Sequence, residues 1–333
     1  MKKFLSLMLA LVLVLVFVAC GTESGDDTGE GKKWVFGISM PQLDNDGFRA
    51  NLIGIEQAAE QFGDVELVVV DAQQNADTQM KQMEDLITQK VDAIVMCPVD
   101  SSAIVAAVEK ANAAGIPVTS FDRNVSGGEL VGLAESDNAA HGSLAAQLMA
   151  DAAIAAGMEL SELRVLELLG AQTTSSGLER HEGFVAKCEE LGMQIVTALP
   201  TDWKVDIAYN AVLDAFQANA DINAVYVPSD NGLYPGVEAA LLELNKLVEV
   251  GEPGHVIMTT VDGGPQGLNA IRNKYVDAIA AQSKLIMSYE AMNLAYKALN
   301  GETITESIIK IQPVAVTLEN VDDETLWANA INK

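Results

Sequence analysis

The chain has 333 residues, 47 of them acidic against 20 basic, so its formal charge at neutral pH is −27. A surface of that sign repels phosphate backbones and anionic headgroups and argues against nucleic acid as a partner. With 49% hydrophobic residues and only 5% aromatics, rich in Ala and Val, the composition is that of a packed α/β protein rather than a disordered one.

Met1-Lys2-Lys3 precede an apolar run from Phe4 to Ala19, interrupted only by Ser6, that stops at Cys20-Gly21. A basic start, a short apolar stretch and small residues before a cleavage point describe a secretory signal peptide over 1–19, so the body works outside the cytoplasm. Phe17-Val18-Ala19-Cys20 resembles the bacterial lipobox, in which the cysteine is lipidated and becomes the new N-terminus. The match is good at Ala19-Cys20 and looser at Phe17, where that motif more often has leucine. An uncleaved anchor is the alternative, because the run is near the lower limit for a span. Either way the body is tethered to the outer face of a membrane, in the first case through lipid on Cys20. Residues 20–33 are small, polar and glycine-rich, the composition of a flexible leash. Loss of Lys2 and Lys3 with the signal takes the charge from −27 to −29.

About 300 residues follow the leash, roughly twice a typical domain, and two similar lobes are the simplest expectation. Short β-branched runs at 34–40, 65–71, 92–98 and 117–121 alternate with helical-period stretches at 47–62, 78–89 and 102–114. A fifth strand at 129–133 leads through Ser136-Asp137-Asn138 into a long alanine-rich helix ending near Gly157. The alternation then restarts, with strands at 163–169, 194–198, 224–228, 256–261 and 278–281. Helices are expected at 177–191, 206–218, 235–246, 266–273 and 284–299. This order predicts two successive doubly wound units with parallel sheets. In such sheets the residues just past the carboxyl ends of the strands face the ligand crevice. Those positions carry Asp44-Asn45, Asp122-Arg123, Thr201-Asp202-Trp203, Ser229-Asp230 and Asp262-Gly263. Cys97 and Cys188, far apart in apolar runs, read as buried single thiols.

Several spaced motifs between about Trp34 and Asn320 resemble the type I periplasmic binding proteins of the ribose and galactose/glucose-binding family, the receptors of monosaccharide ABC importers. Leu43-Asp44-Asn45-Asp46-Gly47-Phe48 is similar to the first loop of that family, which offers the sugar a polar contact from Asn45 and a ring from Phe48. Phe121-Asp122-Arg123-Asn124 is similar to its Asp-Arg pair, and Thr201-Asp202-Trp203 to its stacking aromatic. Val261-Asp262-Gly263 resembles its fifth-strand aspartate, and 276–282 its second crossing, ending on a sugar-binding glutamine, Gln282. The resemblance implies two doubly wound α/β lobes joined by a hinge of three crossings. The lobes would be 34–136 with 283–311, and 137–282 with 312–333. It also implies a neutral sugar as ligand, a membrane permease as partner, a monomeric state, and no catalysis, cofactor or metal.

The residue types agree with that implication. A neutral sugar presents a rim of hydroxyls and two C–H faces; carboxylates, amides and guanidinium groups suit the rim, and Phe48 and Trp203 would suit the faces. Phe48 could equally be core at the start of its helix, and Asp122-Arg123 a surface ion pair. The family's Asn-Asp pair appears here reversed, as Asp230-Asn231, so Asp230 would stand where the sugar-contacting amide does; alternatively Asn231 faces the cleft and Asp230 caps the helix. Arg180 fits the family's arginine before Gly-Phe, whereas the ungapped match to the ribose type's second arginine falls on Leu178. The loop 157–162 supplies too few oxygen ligands for the calcium site of the galactose type, and Asp44-Asn45-Asp46-Gly47 lacks the last ligand of an EF-hand, which would be Ile55. No G-x-S-x-G elbow, H-E-x-x-H or P-loop occurs, and His141, His181 and His255 are widely separated. A sensory receptor of the same fold, presenting a sugar or a furanosyl signal to a chemotaxis or kinase partner, is the other reading. A sugar-responsive repressor is contradicted by the signal peptide.

Overall fold

The alternation of β-branched and helical stretches becomes two six-stranded sheets in a computed structural model that describes residues 33–331. The expected signal peptide, Cys20 and nearly all of the leash lie outside the described residues. The first sheet and its helices are built from β1 (Trp34–Met40), α1 (Asp46–Phe62), β2 (Val65–Asp71), α2 (Ala76–Gln89), β3 (Ala93–Met96), α3 (Val105–Ala113), β4 (Val118–Phe121) and β5 (Gly132–Ser136). The second is built from α4 (Asn138–Ala155), β6 (Arg164–Leu169), α5 (Ser175–Leu191), β7 (Gln194–Pro200), α6 (Val205–Ala218), β8 (Ala224–Val227), α7 (Asp230–Glu243), β9 (Ile257–Asp262), α8 (Pro265–Arg272) and β10 (Ala278–Ala281). The chain then returns to the first sheet with α9 (Lys284–Leu299) and β11 (Ile308–Ile311), and to the second with β12 (Val314–Val316) and α10 (Trp327–Ala330). It therefore passes between the lobes three times, after β5, β10 and β11.

The strand orders are β11-β5-β4-β3-β1-β2 and β12-β10-β9-β8-β6-β7, parallel throughout except that β12 runs antiparallel to β10. β1 lies between β2 and β3, and β6 between β7 and β8, so each sheet reverses its winding there. The expected α/β fold with two doubly wound lobes is the one observed, and the carboxyl ends of both sheets open on one crevice. β1 shows why these runs are strands: Phe36, Ile38 and Met40 pack under α1 and α9, while Ser39 on the other face is equally buried. Burial on both faces is what makes a central parallel strand nearly continuous in apolar residues.

Helix ends follow their caps. Asn45 opens α1 by accepting from the Gly47 N–H (2.9 Å), and Gly63 closes it in the left-handed region. In the second lobe α4 and α5 approach so closely that a Cβ at Gly142 would lie 2.1 Å from the Arg180 carbonyl, and one at Gly183 2.0 Å from the Ala139 carbonyl. Larger residues at either position would push the helices apart and carry Arg180 with them.

Several elements depart from the sequence expectation. β5 begins at Gly132 rather than at 129, because Asn112 holds Glu129 in a loop through both its N–H (2.9 Å) and its carbonyl (3.0 Å). α7 begins at Asp230, five residues early: Ser229 caps it by accepting from the Gly232 N–H (3.0 Å), and Pro235 lies inside the helix instead of opening it. β11 and β12 were not expected as strands, being only four and three residues long and largely exposed. Cys97 and Cys188 are both buried and free, and burial pushes the Cys188 thiol up to about 12.

Candidate ligand-binding site

Loops from both lobes line a cleft with about 470 Å³ of empty space, open solvent at its mouth included. Seven of the nine residues expected at a ligand line it: Asn45, Phe48, Asp122, Arg123, Arg180, Trp203 and Asp262. The lobes meet across it. Asn231 of α7 donates from Nδ2 to Asn45 Oδ1 (2.5 Å), and on the other side the Asn124 N–H donates to Ser175 Oγ (3.0 Å).

The first lobe contributes Asp122, Arg123 and Phe48. Asp122 and Arg123 follow β4, and Asp122 takes a positive φ of 64°. Such a backbone is strained for a residue with a Cβ and recurs at binding sites. Arg123 Nη1 donates to the Pro98 carbonyl (2.9 Å), its Nε lies 3.8 Å from Asp122 Oδ2, and its guanidinium stands 5.4 Å from the Phe48 ring centre. Lys284 Nζ donates to Asp122 Oδ1 (2.8 Å). Burial alone would raise the Asp122 pKa, but the charges of Lys284 and Arg123 prevail and hold it at about 2. Phe48 is both things the sequence allowed, a member of the core cluster and part of the cleft lining.

The second lobe contributes Asp262, Arg180 and Trp203. Arg180 Nη1 donates to Asp262 Oδ1 (3.2 Å) and to the Pro228 carbonyl (2.6 Å), and its Nε donates to Asn138 Oδ1 (3.0 Å). Ser229 Oγ donates to Asp262 Oδ2 (2.5 Å). The guanidinium lies 5.9 Å from the Trp203 ring centre. Trp203 and Asp262 also have positive φ, 58° and 104°. The indole seats directly on Gly170, where a Cβ would come within 2.1 Å of it. Leu178 is exposed and does not line the cleft, so of the two alternatives it is Arg180 that does.

Two expected residues are not brought to the cleft. Asp230 is fully buried and accepts from the Gly263 and Gly264 N–H groups (2.9 and 2.8 Å) and from Thr260 Oγ1 (3.0 Å), so it ties α7 to the end of β9. Burial, reinforced by the nearby Asp262 carboxylate, raises its pKa. The helix phase turns its neighbour Asn231 to the cleft instead. Gln282 lies behind the lining: its Nε2 donates to Asp262 Oδ1 and its Oε1 accepts from Ser136 Oγ (2.8 Å), which joins the first two crossings. Lys284, Asn231 and Ser229 line the cleft without having been singled out as contacts. Ser229 stands at a strand end, and Asn231 is the sequence alternative to its neighbour Asp230. Lys284 had only its position two residues beyond Gln282 as a signal.

Known proteins share this fold. Residues 36–303 match the periplasmic binding protein domain family, and the chain belongs to it. The ribose import binding protein of Bacillus subtilis (strain 168) is 32% identical over 313 residues, covering 92% of this chain and 97% of that protein. Among solved structures, an ABC transporter solute binding protein from Bacillus halodurans with bound myo-inositol has a TM-score of 0.77 at 25% identity, covering 90% of this chain and all of that one. One from Actinobacillus succinogenes 130z with bound D-allose has the same score at 26% identity, covering 87% of this chain. The protein is thus an extracytoplasmic periplasmic binding protein of a non-enzymatic, transport-associated family, in which the relatives just named take ribose, myo-inositol and D-allose.

Proposed function

We infer that the protein captures a neutral monosaccharide, or a similar polyol, by closing its lobes on it, and delivers it to the permease of an ABC importer. It does so as a monomer anchored through lipid on Cys20. One observation carries the reading: two walls, each an acid–base pair beside an aromatic ring, face each other across one cleft. Three buried lining atoms, Arg123 Nε, Trp203 Nε1 and Asn231 Oδ1, have no hydrogen-bond partner within the protein. Two donors and an acceptor left over in this way suit a molecule whose hydroxyls both give and accept. Phe48 and Trp203 would cover the C–H faces, and Asn45, Asp122, Arg123, Arg180 and Asp262 the hydroxyl rim. Hinge closure then buries the ligand and creates the form a permease can recognise.

A thermal-shift screen of the full chain against pentoses, hexoses, inositols and nucleosides tests this. A ligand held at a hundred times its dissociation constant stabilises the folded state by about 2.7 kcal/mol; a screen in which no sugar or polyol does so rejects the reading. The anchor is tested separately: Cys20→Ser releases the protein from membranes or leaves it unprocessed, and unchanged mass and detergent partitioning would reject lipidation.

A further inference from the structure

Lys284 is a buried cation for which the sugar reading alone supplies no task. It opens α9 directly after the second crossing, and its carbonyl accepts from Asn51 Nδ2 of α1 (2.8 Å), so its backbone is fixed. Its side chain is 7% exposed; Nζ lies 5.7 Å from the Phe48 ring centre and gives one hydrogen bond to Asp122. Pairing with Asp122 does not account for it, because that carboxylate already has Arg123 beside it. Among the charged groups lining the cleft, the second wall is balanced, Arg180 against Asp262, whereas the first sets two cations against one carboxylate. Burying an ammonium is costly unless all its N–H groups find acceptors, and an ammonium has three.

We propose that Lys284 is a specificity-determining ligand contact, whose Nζ donates to a ligand oxygen next to Asp122 so that the cleft selects an oxygen there and rejects a protonated amine. This rests on the sugar reading of the cleft. Lys284 recognises a hydroxyl or ring oxygen as an acceptor, while Asp122 accepts a hydrogen bond from an adjacent hydroxyl. An amino sugar would bring a third cation to a wall that already holds two, and desolvating it there is unfavourable.

The test is isothermal titration of the full-length wild type and Lys284→Met with D-ribose, D-allose, D-glucose, myo-inositol and D-glucosamine. The wild type is expected to bind at least one neutral probe and to disfavour D-glucosamine against D-glucose. In Lys284→Met, affinity for the neutral probe falls about tenfold or more, as for a lost hydrogen bond to a charged group, and the discrimination against D-glucosamine shrinks. A pH series adds a second readout. Asp122 is faced by Lys284, Arg123, the Cys97 thiol and, from the second lobe, Arg180; with Lys284 present its pKa stays near 2 and binding does not change through its titration between pH 7 and 4. Without Lys284 that pKa rises, and affinity declines as the pH falls. If Lys284→Met does not melt cooperatively, Asp122→Asn is compared with Asp122→Asn/Lys284→Met, which removes the ion pair as a unit. A further loss of affinity in the double variant is Lys284's own contact. Equal affinity and unchanged probe order, in Lys284→Met or in that pair, overturn the inference while leaving the sugar reading standing. A wild type that binds none of the probes overturns both.

Discussion

The two walls of the cleft use the same parts differently. Each sets an arginine over an aromatic ring and beside an aspartate at the carboxyl end of a strand, Arg123 with Phe48 and Asp122 in the first lobe, Arg180 with Trp203 and Asp262 in the second. In the first wall the aspartate and arginine are adjacent in sequence, and an added lysine draws the carboxylate pKa down to about 2. In the second, Asp262, Arg180, Ser229 and Gln282 converge from four separate elements, and a further carboxylate, Asp230, is buried behind the lining with its pKa raised. A local pair needs little help to hold its geometry, whereas a convergent cluster depends on every element that supplies a member. The second wall should therefore be the more fragile to substitution.

Asp262→Ala is the strongest way to test that difference. It leaves the buried Arg180 guanidinium without its carboxylate, a change that typically costs about 3–5 kcal/mol, and it removes the acceptor of Ser229 and Gln282 as well. Urea unfolding of the ligand-free protein should show the loss, and the same measurement on Asp122→Ala, where Lys284 and Arg123 would repel each other across the gap, should show a smaller one because both cations can turn toward the cleft and water. Equal losses would mean that the two walls are equivalent. Trp203→Ala comes next. It should weaken sugar binding by roughly 2 kcal/mol, as loss of a buried aromatic anchor does, with an unchanged circular dichroism spectrum. Wild-type affinity in a titration would reduce Trp203 to a structural role and leave Phe48 as the sole stacking ring.

The first wall was also the more legible in the sequence. Asp122-Arg123 sit side by side at a strand end, so periodicity placed them and chemistry named them. Arg180 was legible only as a motif, since its arrival at the cleft depends on the close contact of α4 and α5 through Gly142 and Gly183. Asp230 and Asn231 mark where a linear reading stops. Both follow β8, but the helical turn beginning at Asp230 sends adjacent side chains in directions about 100° apart, and the strand-end rule does not say which one faces out. Reading Pro235 as the start of α7 hid that turn. Lys284 was invisible for another reason: as the first residue of a helix after a crossing it looks like an ordinary exposed cation until Asp122 is found 162 residues away in sequence.

Asp230→Asn sharpens the contrast between lining and support. Because the carboxylate accepts from two glycine N–H groups and a threonine hydroxyl, an amide must turn its own N–H₂ toward one of those donors. The expected result is a loss of stability of about 1 kcal/mol, one net hydrogen bond, with the order of preference among epimeric sugars unchanged. Asn231→Asp should do the reverse, changing that order because Asn231 lines the cleft and bonds Asn45. Titration of both variants against epimeric pentoses and hexoses checks this; a reordered preference in Asp230→Asn would return that residue to the ligand.

The smallest expected effect lies where the walls are joined. Glu135 on β5, in the first crossing, is buried, and its pKa is raised to about 7, first by burial and then by Glu179 of the second lobe's α5, against the partial relief of Lys310 (3.6 Å). Its ordinary value is 4.5. A carboxyl group whose folded pKa lies above its unfolded one contributes stability that is fully present below the unfolded value and is lost as the pH rises through the folded value. Between pH 5 and pH 8 this group therefore favours the folded state at the acidic end. Glu167, also lifted to about 7 by burial despite its bond to His181, titrates in the same window, so the quantity to read is the difference between wild type and Glu135→Gln. Melting temperatures of the two proteins should diverge as the pH rises from 5 to 8, with the variant the more stable at the alkaline end. Parallel curves would show that Glu135 keeps an ordinary pKa and that closure brings no carboxylate of one lobe against the other.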